Sequence, residues 1–519
     1  MLNLSVILEE PSKRYPAKAA FIFFDKAYSY QHINSEANKV ANGLINNGIK
    51  AGDKVALTCP NHPSFPIIYY GIIKSGAVVV PLNFLLKKDE IEYHLKNSDA
   101  KAYFCFAGTP DLPCGEMGYP AFRDSKSCEH FFIIMPSPGM PSPIKGVSTY
   151  EGFVEAQSAN FEAYKTNADD TCAIIYTSGT TGVPKGAELT HANLLLNAIT
   201  CNELVKRVPE DVSLIVLPLF HAYGMTALMN AAVYKGCSSV LLNRFEAQAV
   251  FHHMEKYKVT SFAGTPTMYW GLLNYSGPEF DYAAIASTLK SCTSGGGPLP
   301  VQVLEDFEKR FQVPILEGYG MTEGSPVVTR NQLEIGRKPG SIGTPIWGVE
   351  VKLVDGEGVE VPIGEKGELL FRGPNVMKGY YKMPEETVKT IQNGWLHSGD
   401  IATKDEDGFF YIVDRIKEMI IRSGFKVYPR EVEEIMIKHP AVSLVAVIGI
   451  QHEELGEEIK AFVVLKENHH VSESDLITWT KERVASFKYP RYIEFTDSLP
   501  MNAAGKILKK ELRKRQEAR

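Results

Sequence analysis

Tyr176-Thr177-Ser178-Gly179-Thr180-Thr181-Gly182-Val183-Pro184-Lys185-Gly186 follows the short apolar run Ala173–Ile175. The run reads as a buried strand and the stretch after it as the loop leaving that strand. Its glycines let the backbone bend until amide N–H groups converge on an anion. Thr177, Ser178, Thr180 and Thr181 add hydroxyl donors, and Lys185 adds a full positive charge. The pattern is a phosphate cradle. It is not the Gly-Lys-Ser/Thr nucleotide loop, because Pro184 precedes the lysine and Gly186 follows it.

On either side of this loop, strand-like and helical patterns alternate. Lys54–Thr58, Ala77–Pro81, Leu214–Leu217 and Ser239–Leu242 read as strands, and Glu90–Lys96 as a helix. The alternation predicts an α/β fold whose large N-terminal domain consists of helix-covered β-sheets. Val212–Tyr234 carries no formal charge over a length able to span a bilayer, but Pro218, His221, Gly224 and Asn230 interrupt it. It is read as a strand (Ser213–Leu217), a turn (Pro218–Gly224) and a helix from about Met225. Met135–Gly146, rich in Pro, Gly and Ser, is a surface connector.

After Gly340, Glu350–Val354, Gly367–Arg372 and Phe409–Val413 alternate with Asp-Gly turns and predict a β-rich subdomain. A polar connection, Asp414-Arg415-Ile416-Lys417, follows. Beyond it come a helix opened by Pro429, strands at Val442–Ile450 and Ile459–Leu465, and a helix capped by Ser474 and carrying Leu476, Ile477 and Val484. About a hundred residues of this α+β pattern make a second domain. The boundary falls at Ile416, giving domains 1–415 and 416–519.

A chain of 519 residues exceeds what one core organises, and 44% hydrophobic with 22% charged residues is a globular composition. A formal net charge of −6 offers no general attraction to nucleic acid or anionic lipid. The cysteines contain no CxxC spacing, which argues against a zinc site or a dithiol motif. Met1–Pro16 lacks a basic start and an apolar core, so no leader and a cytoplasmic location are expected.

Further motifs carry chemistry. Glu317-Gly318-Tyr319-Gly320-Met321-Thr322-Glu323 offers a ring to stack on a base, and a hydroxyl and a carboxylate for phosphate and Mg²⁺. Ser294-Gly295-Gly296-Gly297-Pro298-Leu299 is bare backbone that a planar ligand can approach. Phe220-His221-Ala222-Tyr223-Gly224 occupies a strand–helix turn. Asp400, in Trp395-Leu396-His397-Ser398-Gly399-Asp400, can accept from both hydroxyls of a ribose. Pro500-Met501-Asn502-Ala503-Ala504-Gly505-Lys506-Ile507-Leu508 precedes a basic tail, and Gly505 is read as a mobile, exposed base for Lys506.

The loop at 176–186 and these motifs, in this order, resemble the adenylate-forming superfamily, which includes acyl-CoA synthetases, peptide-synthetase adenylation domains and luciferase. The resemblance covers most of the chain and is closest to bacterial medium- and long-chain fatty acid CoA ligases. It implies an acid–thiol ligase using ATP, Mg²⁺ and coenzyme A on a small-molecule carboxylic acid, working as a monomer or homodimer without nucleic acid or a membrane span. It further implies ATP or AMP contacts from Thr177, Ser178, Gly179, Thr180, Thr181, Lys185, Gly297, Glu317, Gly318, Tyr319, Thr322, Asp400, Arg415 and Lys506. Thr181 and Glu323 would hold the metal. His221, Tyr223, Gly224 and Gly296 would face the acyl group, with Lys506, Glu323 and His221 catalytic.

Lys417 takes the hinge position of a mobile C-terminal domain. Arg244, Ser423 and Gly424 fall on the CoA path, although many relatives carry Lys where Ser423 stands; Arg422 is the neighbouring cation. Ala222 replaces the Asp common in amino-acid-activating relatives, which argues against an amino acid substrate. The apolar Gly224–Ala232 stretch suggests a roomy channel for a fatty acid, with aryl acids second. A carrier-loading adenylate ligase and a luciferase-like oxidoreductase are the other readings.

Overall fold

Runs of Val, Ile, Phe and Ala too short for helices become strands because pairing is the one way to satisfy their backbone once both faces are apolar. The computed structural model describes residues 1–110, 112–177, 183–452 and 454–517, and these form four sheets. In one sheet the strands run in the order Gly379–Tyr380, Lys185–Thr190, Thr171–Thr177, Val78–Leu82, Lys54–Thr58, Ala100–Phe106 and His130–Ile134. A second contains six successive parallel strands: Ala19–Phe23, Ser238–Leu241, Val212–Ile215, Ser261–Gly264, Ser291–Ser294 and Ile315–Gly320. Antiparallel strands close its edges.

The helix Ser64–Lys74 is buried along its whole length and belongs to the continuous core that both sheets share. The β-rich region after Gly340 is an antiparallel sheet built from Glu350–Val354, Gly367–Arg372, Ile391–Gln392, Trp395–Lys404 and Phe410–Arg415. Leu369, Phe371, Leu396 and Phe410 plug its inner face into the same core. The residues beyond Lys417 have separate apolar cores. One is centred on Val432, Met436, Val447 and Val463, and the other on Ile448, Phe462 and Leu512.

The helix after Val212–Ile215 starts at Tyr223, two residues ahead of Met225, and its first stretch, Tyr223–Asn230, is a π-helix. A side chain at Gly224 would lie 2.3 Å from the Pro218 carbonyl oxygen, so glycine lets the wide turn begin that early. At the other end of the π-helix, buried Asn230 accepts from Tyr70 and donates to Tyr69. The late helix Glu473–Lys481 is capped by Ser472, which accepts from the Asp475 N–H, and not by Ser474; Val484 lies beyond its end. Gly505 is not a loose base: it occupies a tight turn at φ +80° and packs against another segment. No helix among the described residues is long and apolar enough to cross a membrane.

Candidate active site

Ligands of open parallel sheets collect beyond the carboxyl ends of the strands. Here those ends supply His221 after Val212–Ile215, Thr265 after Ser261–Gly264, Gly295 and Gly296 after Ser291–Ser294, and Tyr319 at the end of Ile315–Gly320. A cavity of about 890 Å³, counted with its open mouth, is lined by His221, Tyr223, Gly296, Gly318, Tyr319 and neighbours. Gly224 and Gly297 do not line it. Gly224 backs onto Pro218 and Gly297 faces Pro266. Glu317 points away as well. It accepts from the Gly340 N–H at 3.0 Å, and burial pushes its pKa up to about 7 against the pull of Arg430.

Beside the cavity, Tyr319 donates to Asp400 Oδ2 at 2.6 Å and the Arg415 Nε–H lies 3.0 Å from Asp400 Oδ1. Asp400 and Arg415 are cross-strand partners, so sheet register alone juxtaposes them. Burial, then Asp400, raises the Tyr319 pKa, keeping the phenol a donor; Asp400 in turn raises Arg415.

Lys506 reaches this cluster from the C-terminal sequence. The Thr267 hydroxyl donates to the Gly505 carbonyl at 2.6 Å, fastening the turn that carries Lys506. The Asn502 side chain accepts from the Lys506 N–H at 2.9 Å and shapes the same turn. Water still touches the Lys506 side chain, yet the crowding walls and then Arg415 lower its pKa to about 8; Asp400 and Glu418 act in the opposite sense. Desolvation, then Lys506, lowers His221 to about 4. His221 Nδ1 accepts from the Tyr223 N–H at 3.3 Å, which assigns the proton of the neutral ring to Nε2.

Thr322 and Glu323 form the turn after Tyr319 and are buried. Tyr380 donates to Glu323 Oε1 at 2.8 Å. A single carboxylate with an oxygen to spare fits Mg²⁺, which takes one or two carboxylates and completes its shell with substrate phosphates and water. No group of three or more His, Cys, Asp or Glu able to hold a metal occurs among the described residues.

Thr177 and Lys185 are paired across two antiparallel strands and so flank the stretch read from the sequence as a phosphate loop. Ser178, Gly179, Thr180, Thr181 and Gly182 lie outside the described residues. Lys185 is ion-paired to Glu386 and sits 5.2 Å from the centre of the Tyr380 ring. The Lys185 contact, then Lys389, holds Glu386 down to about 2. Lys417 faces the same place: burial, then Lys185, lowers its pKa.

The residues expected on the CoA path are not brought to the cavity. Arg244 is exposed and bonded to Glu246 at 2.6 Å. Ser423 and Gly424 form an exposed hairpin tip, both at positive φ. Arg422 does not stand in for the missing lysine, because it is tied to Glu458 by bonds of 2.7 and 2.8 Å.

Arg207 and Arg330, both in the cavity wall, had no motif to announce them. The one signal for Arg330 was a charge closing the otherwise neutral Val327–Arg330 strand. Glu386 and Thr267 carry no local signal either, because each acts through a partner distant in sequence.

Strand order, cavity and converging motifs define an adenylate-forming enzyme. Residues 8–381 match the family described as AMP-binding enzyme, and residues 431–506 match the AMP-binding enzyme C-terminal domain. The chain belongs to this family, in its acyl-CoA synthetase branch. A long-chain-fatty-acid–CoA ligase of Bacillus subtilis (strain 168) is 35% identical over 98% of this chain and 94% of its own. A feruloyl-CoA synthase of an Amycolatopsis species is 36% identical over 94% of each. Among solved structures, ATP-bound MatB from Rhodopseudomonas palustris is similar at a TM-score of 0.90 and 29% identity, with 99% of both chains covered.

Proposed function

We propose that the protein activates a medium- or long-chain carboxylic acid with ATP and passes the acyl group to coenzyme A, as an acid–thiol ligase of the AMP-forming kind. The docking of Lys506 beside Asp400 and His221 carries this reading. One carboxylate oxygen attacks the α-phosphorus and pyrophosphate leaves. The thiol sulfur then attacks the acyl carbonyl, and AMP departs with the bridging oxygen.

Asp400 accepts from the ribose hydroxyls, with Arg415 holding it in place, and Tyr319 lies against the adenine. Thr322 meets the α-phosphate. Lys506, a cation below about pH 8, faces the charge that develops there. His221 is neutral at pH 7 and offers its Nε2–H to the acid's carboxylate end. Lys185, with the loop at 178–182, grips the outer phosphates after releasing Glu386. Glu323 would hold Mg²⁺, which supplies neutralising charge to the phosphates.

Lys417 is the pivot between units 1–415 and 416–519. Rotation about it withdraws Lys506 and brings the Ser423–Gly424 tip to the pantetheine path. Buried, unpaired thiols fit a reducing, cytoplasmic setting. An aryl acid is the second reading, favoured by the similarity to a feruloyl-CoA synthase.

The test separates the half-reactions. Lys506→Ala is expected to slow pyrophosphate release from acid and ATP by at least about 100-fold, while acyl-CoA formation from supplied acyl-adenylate and CoA stays within a few-fold of normal. Equal losses in both steps would remove Lys506 from adenylation.

A further inference from the structure

Two arginines in the cavity wall lack the partners that other arginines here possess. Arg337 is held by Glu308 through two bonds, as Arg422 is by Glu458. Arg330 and Arg207 are each only 7% exposed, and neither has an ion pair among the described residues. Arg330 donates to the Thr293 hydroxyl at 2.5 Å, and Arg207 to Asn202 Oδ1 at 3.3 Å. Each guanidinium has five N–H groups, and the buried Nε of both has no partner. Tyr223 Oη and Ser294 Oγ, in the same wall, are also unpartnered.

Burying one unpaired cation is costly, and two facing a common space add mutual repulsion. An apolar chain alone leaves that cost unrelieved; an anion between them removes it. The charge pair lies away from the reacting end. Lys506 has Arg415, Asp400, Glu418 and Lys509 as its ionisable neighbours, whereas Arg330 has Tyr223, Cys201, Arg207 and Tyr269, of which only Arg207 is charged at pH 7. Asp211, which shares the neighbourhood of Cys237 with Arg207, is bonded to Lys290 at 2.5 Å instead. Leu214, Ile215, Phe262 and Val327 supply apolar wall in the same cavity.

We propose that the acyl cavity takes an acid with a second carboxylate at its far end, clamped by Arg330 and Arg207. This deepens, and rests on, the acid–CoA ligase reading. The near carboxylate becomes the adenylate and then the thioester, with AMP and pyrophosphate released. The far carboxylate stays ionised and unreacted, so the product is an ω-carboxyacyl thioester. The aliphatic middle satisfies the apolar wall, which is why the cavity also reads as a fatty acid site.

The experiment uses matched acids of equal length: hexanoate with adipate, octanoate with suberate, decanoate with sebacate. Binding of each acid to the full-length protein is measured by calorimetry, and turnover by CoA-dependent AMP formation. At one length at least, the wild type is expected to favour the dicarboxylate by about tenfold or more in both readouts. Arg330→Met should weaken the dicarboxylate about 100-fold and leave the monocarboxylate equal or better. Arg207→Met should act in the same direction, which guards against one variant failing to fold. A wild type that binds the monocarboxylate as tightly as its partner at every length overturns the subsite. So does a preference unchanged in both variants. Because binding is read without turnover, preferential dicarboxylate binding with no CoA-dependent AMP would sink the ligase reading and leave the subsite standing.

Discussion

Gly505→Ala perturbs the joint that presents Lys506, and the geometry sets its size. An added Cβ would lie 2.8 Å from Thr267 Oγ1 and 2.9 Å from Thr265 Oγ1, on a backbone at φ +80°. The left-handed backbone costs alanine about 1–2 kcal/mol wherever the turn persists, docked or not. The collision exists only when the turn is docked, and overpacking of this kind costs about 1–3 kcal/mol. Only the second part discriminates between arrangements, so adenylation should fall by about 5- to 150-fold at 1.36 kcal/mol per tenfold. Thioester formation from supplied acyl-adenylate should change by less than about threefold, the scale of context effects rather than of a lost dock. The two half-reactions are assayed by pyrophosphate release and by acyl-CoA formation, with thermal melts as a folding control. Thr265→Ala removes one colliding hydroxyl while keeping the Thr267–Gly505 bond, so the double variant should regain part of the lost rate. Equal slowing of both steps, or no recovery on removing the Thr265 hydroxyl, would refute the docking argument.

Other outcomes follow from charges. The Lys506 pKa is depressed to about 8, so its cation is present below that pH and lost above it; kcat/KM for adenylation should drop about tenfold per pH unit beyond that point. Lys506→Arg should carry what activity it retains without this limb, and a wild-type profile flat to about pH 9.5 would disprove the assignment. Arg422→Ala strands the Glu458 carboxylate, whose side chain is 4% exposed, and should cost about 3–5 kcal/mol in urea unfolding. Burial works to raise the Glu458 pKa, but Arg422 overrides it and leaves it lowered. That stability is therefore present above the ordinary glutamate pKa of 4.5 and fades as pH falls through the lower folded value. A loss below about 1 kcal/mol at neutral pH would show that the pair is not what joins these strands.

The layered α/β architecture was legible because its signals are local. Lys54–Thr58 and Glu350–Val354 match their strands end to end, since a run of apolar or alternating residues between turns has one stable use. Motif residues at strand ends, such as Tyr319 and His221, were legible for the same reason. Partnership was not. Nothing around Glu386 announces Lys185, and nothing around Thr267 announces Gly505, because those contacts span 201 and 238 residues. Direction was not legible either. Glu317 and Tyr319 sit two apart on one strand, yet one turns to Gly340 and the other to Asp400. Gly224 belongs to a motif but serves a helix start rather than a cavity wall.

All eight cysteines are buried and unpaired. Burial lifts Cys201, in the cavity wall, to about 11, and Cys292, on the strand leading to Ser294, to about 12. At pH 7 a thiol of pKa 11 is ionised in about one molecule in ten thousand. An acyl-adenylate is an indiscriminate acylating agent, and sulfur is the nucleophile it is meant to meet. The protein's own sulfurs are held protonated, Cys201 included although it lines the cavity, so the incoming cofactor thiol meets no ionised rival there. The same burial that packs the core also keeps the catalyst from consuming its own intermediate.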